Sequence, residues 1–161
     1  MLKTKLNKIG NLIDKIKSDL SAPVLSEFLE WFYEKLDINF NKKTPDLKFK
    51  KWDIYFVNLW KNIWSELNKT RPCIVYSSKK ANFWNTVVII PLKLFKWKIN
   101  NNFNLLLAKS KEFWLEKDSI ADLVWIRQIS KKRINKRIWR IWKISLNDID
   151  NKILNIFWIK K

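Results

Sequence analysis

Any chemistry this chain performs falls to arginine, lysine, carboxylates, hydroxyls or a single thiol, Cys73, because its 161 residues include no histidine. That absence excludes the commonest general base, the Ser-His-Asp arrangement and histidine-ligated metals. One cysteine allows no internal disulfide and supplies too few thiolates for a zinc site. Cys73 directly follows Pro72 at the start of a strand pattern and reads as a small buried hydrophobe. The abundant groups are cations: 33 Lys+Arg stand against 15 Asp+Glu, a formal net charge of +18.

The cations are unevenly placed. Residues 1–47 hold 8 lysines and 7 acids, a net of +1, whereas residues 48–161 hold 25 Lys+Arg and 8 acids, a net of +17. Such a field draws polyanions: nucleic acid first, an anionic membrane surface second, an acidic protein third. A compositional bias toward Lys, Asn and Ile, as in genomes poor in G and C, explains part of the excess equally well. With 47% hydrophobic residues there is material for a core. No apolar run approaches the ~18 residues of a membrane span. The start, "MLKTKLNKIGNLIDKIK", intersperses Lys and Asp through its apolar positions, unlike a secretory signal. A soluble, cytoplasmic protein is expected.

These groups must be positioned by two kinds of element. Leu2, Leu6, Ile9, Ile13, Ile16 and Leu20 recur at steps of four and three, the stripe of an amphipathic helix. A second helix follows "SAP", with Ser21 as N-cap, Pro23 in the first turn and an apolar face of Leu25, Phe28, Leu29, Phe32 and Leu36. The polar stretch "NFNKKTPDLK" then separates a helical hairpin with its linker, 1–47, from a domain at 48–161. In that domain β-branched and aromatic runs predict strands at Asp53–Leu59, Cys73–Ser77, Thr86–Leu92, Phe103–Ala108 and Ser119–Ile129. Strands so spaced, without intervening helices, suggest a compact barrel. The tail returns to helical spacing at Leu146, Ile149, Ile153 and Ile156, with Ser145 and Asp148 as a capping box.

In that order the motifs "KKWDIYFVNL", "WSELNKTRPCIVYS", "NTVVIIPL" and "FWLEKDSIADLVWIRQISKKRI" resemble the PemK/MazF-type toxin family over residues 50–157. The two N-terminal helices fall outside the resemblance. It implies a mainly β (α+β) fold, a small SH3-like β-barrel with a C-terminal helix. It further implies a homodimer that cuts single-stranded RNA, including mRNA, with no metal and no cofactor. An acidic antitoxin would neutralise the toxin, and the toxin–antitoxin complex brings DNA binding into view.

Cleaving RNA without a metal needs a group to take the 2′-hydroxyl proton, a group to protonate the leaving 5′-oxygen, and a cation facing the phosphate. Arg71, in "KTRP", matches the family's catalytic arginine, whose guanidinium can hold a phosphate through two hydrogen bonds. Glu66, in "SEL", is the matching carboxylate, as base or orienting partner; an ordinary loop salt bridge between the two is the alternative. The family carries a Thr or Ser two residues after the Pro of "TVVIIPL", and this chain has Lys93 there. That lysine neutralises the phosphate, acts as proton donor with a lowered pKa, or marks a catalytically silent member that only binds nucleic acid or a regulatory partner. Lys69, Thr70, Lys79, Lys80, Lys96 and Lys98 flank the two strands and are candidate RNA contacts, with a solvated face as the alternative. "SKKRINKRIWRIWK", Ser130 to Lys143, holds seven cations and no acid, which suits RNA backbone or an acidic tail. Arg127 matches the family's Ile-Arg, where it supports structure.

The chain has 11 tryptophans and one glycine. Trp52, Trp64 and Trp114 stand where the family pattern has Gly. Trp60, Trp84, Trp97, Trp139, Trp142 and Trp158 stand at turns or breaks that favour it. Restoring glycine at these nine positions would bring its number close to the roughly 11 expected at ~7%. The pattern is that of a gene whose UGA codons mean glycine, translated as if they meant tryptophan. Trp31 and Trp125 fit true tryptophans. The alternative is a protein truly rich in stacking platforms for bases.

Overall fold

The computed structural model describes residues 2–19, 22–59, 67, 69–96, 98–109, 117–141 and 146–159. Its contacts divide into two compact units, 1–42 and 43–161. The first is a pair of helices, α1 (Leu2–Asp19) and α2 (Ala22–Phe40). Pro23 sits at the second position of α2, where no intrahelical N–H is needed. The helix closes on Asp37, whose carbonyl accepts from the N–H groups of Asn41 and Lys42, each at 2.9 Å. The covered side of α2 runs through Leu25, Phe28, Trp31 and Ile38, while Leu29, Phe32 and Leu36 are exposed. The seam is thus narrower than the apolar face read from the sequence.

The second unit is mainly β. Seven strands, β1 (Asp53–Asn58), β2 (Thr70–Val75), β3 (Thr86–Leu94), β4 (Asn104–Leu107), β5 (Ser119–Asp122), β6 (Arg127–Ser130) and β7 (Ile134–Arg140), precede a C-terminal helix, α3 (Leu146–Ile156). All pairings are antiparallel, in the order β4-β5-β3-β2-β1-β7, with β6 also on β3. The sheet is not closed: among the described residues no ladder joins β4 to β7. The long strand β3 is the spine. One edge takes β2 at Ile89–Pro91; the other takes β6 at Thr86–Ile89 and then β5 at Leu92–Leu94.

That sharing corrects the sequence reading of Ser119–Ile129 as one strand. The run breaks at a 3-10 turn, Leu123–Trp125. The break lets one chain segment serve two stretches of the same β3 edge, β5 against its end and β6 against its beginning. Apolar composition cannot reveal such a corner, because the run "SIADLVWI" stays apolar through it.

Strict alternation assigns side chains to two cores. Ile54, Ile74, Ile90 and Leu92 point to one face, where Trp52, Leu107, Ala121 and Leu123 join Ile149 and Ile153 of α3. Tyr55, Val57, Cys73, Val75, Val87 and Ile89 point to the other, with Phe49, Leu59, Ile129 and Ile134. Each fully buried Ile, Leu or Val contributes roughly 1.5–3 kcal/mol. Burial on both faces explains why these strands read as nearly continuous apolar runs. Asp150 fastens α3 to the sheet, accepting from the Tyr76 hydroxyl at 2.7 Å and from Lys51 Nζ at 3.3 Å.

Candidate functional site

The fold brings Arg71, the family-matched cation, to the same cleft as Lys93. The β2–β3 ladder pairs Ile74 with Ile90 and Cys73 with Pro91. Arg71 of β2 and Lys93 of β3 each lie two residues beyond its last pair. On the far side of β3, Lys93 pairs with Ile120, and Ile120 pairs with Leu106 of β4. Lys93 and Ile120 thus share one transverse row of the sheet.

This row floors an open cleft of about 610 Å³, lined by Leu67, Arg71, Lys93, Leu94, Lys96, Lys98 and Ile120. Among the described lining residues four are cations and none is acidic. Lys96 and Lys98 enter because the chain leaves β3 directly after Lys93 and Leu94. The arrangement can hold an anionic strand by charge and contact its apolar parts with Leu67, Leu94 and Ile120.

The other sequence candidates lie apart from this lining. Thr70 is the exposed first residue of β2, paired with Asn58. Lys69, also exposed, has a positive φ of 66°, and its carbonyl accepts from the Leu59 N–H at 3.0 Å to close the hairpin. Lys79 and Lys80 are exposed at the opposite end of the β2–β3 hairpin. Glu66 lies outside the described residues. Burial pushes the Cys73 thiol up to about 12, against a lesser pull from Arg71. It stays protonated at neutral pH and is no nucleophile.

Sequence reasoning missed Asp122. Its buried carboxylate meets Lys93 Nζ at 2.5 Å through one oxygen and accepts from Asn104 Nδ2 at 3.2 Å through the other. The signal was a lone acid in the apolar run "SIADLVWI": a carboxylate taken out of water inside a sheet calls for a cation or donors. Arg127 of β6, paired with Ile89 of β3, stands near Arg133. Burial lowers the pKa of Arg133, and the Arg127 charge adds to the effect. Among the described residues no three Cys, Asp or Glu side chains converge as a metal site would require.

An open antiparallel sheet with a C-terminal helix and a cationic cleft defines a small β module. Residues 50–157 match the family described as PemK-like, MazF-like toxin of type II toxin-antitoxin system, and the chain belongs to that family. Its fold is similar to MazF (Form-I) from Deinococcus radiodurans, at a TM-score of 0.58 and 14% identity over 70% of this chain and 99% of that one. It is also similar to the Mycobacterium tuberculosis toxin MazF-mt6, at 0.55 and 13% over 68% and 99%. A third likeness is to an endoribonuclease in complex with its cognate antitoxin from Mycobacterial species, at 0.51 and 11% over 70% and 98%. The two N-terminal helices lie outside the matched residues. Among the described residues no helix is long and apolar enough to cross a membrane.

Proposed function

We propose that this protein is a cytoplasmic endoribonuclease toxin that cuts single-stranded RNA, mRNA included, without a metal and is neutralised by an acidic antitoxin. The observation that carries this reading is the meeting of Arg71 and Lys93 in one cleft with Lys96 and Lys98. Arg71 clamps the scissile phosphate and stabilises the charge that develops as the 2′-oxygen attacks phosphorus and the P–O5′ bond breaks. Glu66 takes the 2′-hydroxyl proton or orients the group that does. Lys93 stands where the family pattern has a hydroxyl; it supplies positive charge and gives the departing 5′-oxygen its proton, while Lys69 precedes and Thr70 begins the strand that carries Arg71.

The surplus of cations in residues 48–161 supports an acidic partner, and one of the similar structures was solved with its cognate antitoxin. The active form is a homodimer, and DNA is contacted through the toxin–antitoxin complex. The domain boundary near residue 47 leaves the helical hairpin as an appendage to the toxin module.

A second reading is favoured by the Lys93–Asp122 ion pair. A lysine held by an internal carboxylate is a weaker phosphate ligand, which suits a module that binds RNA without cutting it. Incubation of a 5′-labelled mixed-sequence single-stranded RNA with the protein in excess EDTA separates the two. Cutting that disappears in Arg71→Ala supports the toxin; binding with no product supports the silent module. Light scattering of the purified protein tests the dimer.

A further inference from the structure

Helix α2 carries two apolar stripes. One, through Leu25, Phe28, Trp31 and Ile38, is covered. Leu29, Phe32, Leu36 and Phe40 make the other, recurring at steps of three and four along one side of the helix, and with Tyr33 beside them they are exposed. A helix with one neighbour needs one such stripe, and a second stripe calls for a second neighbour.

The hairpin does not supply that neighbour itself. Among the described side chains of residues 1–42, Ile38 is the only buried one. A unit of about 40 residues buries too little apolar surface to be stable alone, unless a disulfide, a metal or another copy adds to it. This one has no cysteine, and its described residues offer no metal-binding cluster.

The charges of the two helices are segregated. In α1 five lysines stand against two aspartates, a net of +3, and in α2 one lysine stands against four acids, a net of −3. At about 100° per residue, the exposed stripe of α2 lies between its covered side and an acidic flank of Glu30, Glu34 and Asp37. A two-fold axis running along the helices sets the basic α1 of a second copy on the same side as this flank. An axis across the helices would bring two acidic flanks together instead.

We propose that the stripe through Leu29, Phe32, Leu36 and Phe40 is a docking surface for the same stripe of a second copy, the two α2 helices running parallel. Phe32, Tyr33 and Phe40 are 45%, 71% and 81% exposed. These three rings alone offer roughly 300–500 Å² per copy. With the two leucines the stripe supplies more than half of the ~800 Å² per partner that a stable interface buries. Nucleic acid, anionic lipid and an acidic antitoxin all carry the charge that the flank repels. The inference concerns residues outside the family match and needs neither RNA cutting nor pairing of the toxin modules.

The test reads the hairpin directly in the full chain. Leu36→Cys is oxidised mildly at micromolar concentration, and the covalent dimer is measured on a non-reducing gel; the native Cys73 is buried and stays silent. A parallel pair sets residue 36 beside its counterpart, so most of the chain should cross-link. Glu34→Cys, about 200° round the helix, should not. Phe32→Glu added to Leu36→Cys should abolish the cross-link, and circular dichroism checks that the helices persist. Absence of the Leu36→Cys cross-link overturns the proposal, as does an equal yield from Glu34→Cys or a cross-link that survives Phe32→Glu. Two further outcomes also overturn it, both in a species that light scattering shows to be one chain. A Leu36→Cys thiol shielded from maleimide there assigns the stripe to a contact within the chain, and a freely labelled one assigns it to a different partner. A protein that cuts no RNA but still cross-links would leave this inference standing.

Discussion

Lys93 and Asp122 are joined diagonally across β3 and β5, Nζ to Oδ2 at 2.5 Å, with Asn104 on the other carboxylate oxygen. The position where the family pattern has a neutral hydroxyl therefore carries a cation whose charge is balanced from inside the protein. Phosphate entering the cleft competes with Asp122 for this lysine, and Arg71 of β2 lines the same cleft. The pair makes Lys93 part of the scaffold as well as part of the cleft.

Restoring a hydroxyl at this position alone should therefore destabilise the protein. Lys93→Thr leaves Asp122 buried without its cation, at a cost of about 1–3 kcal/mol. The Lys93 side chain is 38% exposed, and solvent screening keeps the figure at the low end. Asp122→Asn in the same chain should recover most of the loss. Urea midpoints of both single variants and the double variant check this. A Lys93→Thr midpoint equal to wild type would mean that the ion pair holds nothing.

Arg71→Ala should lower the cleavage rate of bound RNA by about 10²–10³. It should also shallow the salt slope of RNA binding by about 0.7, the share of one phosphate on a single strand. Single-turnover cleavage and anisotropy titrations separate the two effects. If affinity falls while the single-turnover rate holds, Arg71 tethers the strand and takes no part in the transition state.

Stability should fall on the alkaline side. Burial raises Cys73 from 9.0 to about 12 and Tyr55 from 10.0 to about 12, the latter helped by the Asp53 carboxylate. Each folded-state pKa lies above the unfolded one, so the stabilisation is complete below the unfolded value and is lost as pH rises toward the folded one. The window opens near pH 9 for Cys73 and near pH 10 for Tyr55. Each group contributes a slope of at most about 1.4 kcal/mol per pH unit. Urea unfolding between pH 8 and 11 should show the early part of this fall, and Cys73→Ala should delay its onset to near pH 10, whatever that variant costs at neutral pH.

Backbone geometry sorts the suspected glycines. Of the three described non-glycine residues with positive φ, two are Trp52 at 77° and Trp158 at 57°. Left-handed backbone costs a residue with a side chain roughly 1–2 kcal/mol. Trp158 is 92% exposed, so Trp158→Gly relieves strain with little packing to lose and should stabilise by about 1 kcal/mol. Trp52 is 7% exposed and packs edge-on against Tyr76 at 5.6 Å. In this chain the lost contacts, about 3–5 kcal/mol, outweigh the relief, so Trp52→Gly should be destabilising. Trp84 and Trp139 sit in extended or strand backbone that needs no glycine, while Trp60, Trp64, Trp97, Trp114 and Trp142 lie outside the described residues. Reading the gene tests the decoding idea: UGA codons at the nine positions are expected, and UGG codons there would end it.

Sequence alone determined the family, through the order of short motifs from "WDIYF" to "WIRQ", and the segregation of charge into residues 48–161. It also determined the secondary structure of Asp53–Asn58, Thr86–Leu94 and the C-terminal helix, because β-branched runs and a 3.6-residue stripe are local properties. Tertiary structure decided which of the basic residues share a cleft. The fold brings Arg71, Lys93, Lys96 and Lys98 to one cleft, yet leaves Lys79 and Lys80 at the other end of the hairpin. It also decided that Asp122 stands behind Lys93, 29 residues away in the chain. Cross-strand neighbours are fixed by ladder register and by where a strand breaks, as at Leu123–Trp125, and the apolar run that passes through that corner carries no pattern announcing it.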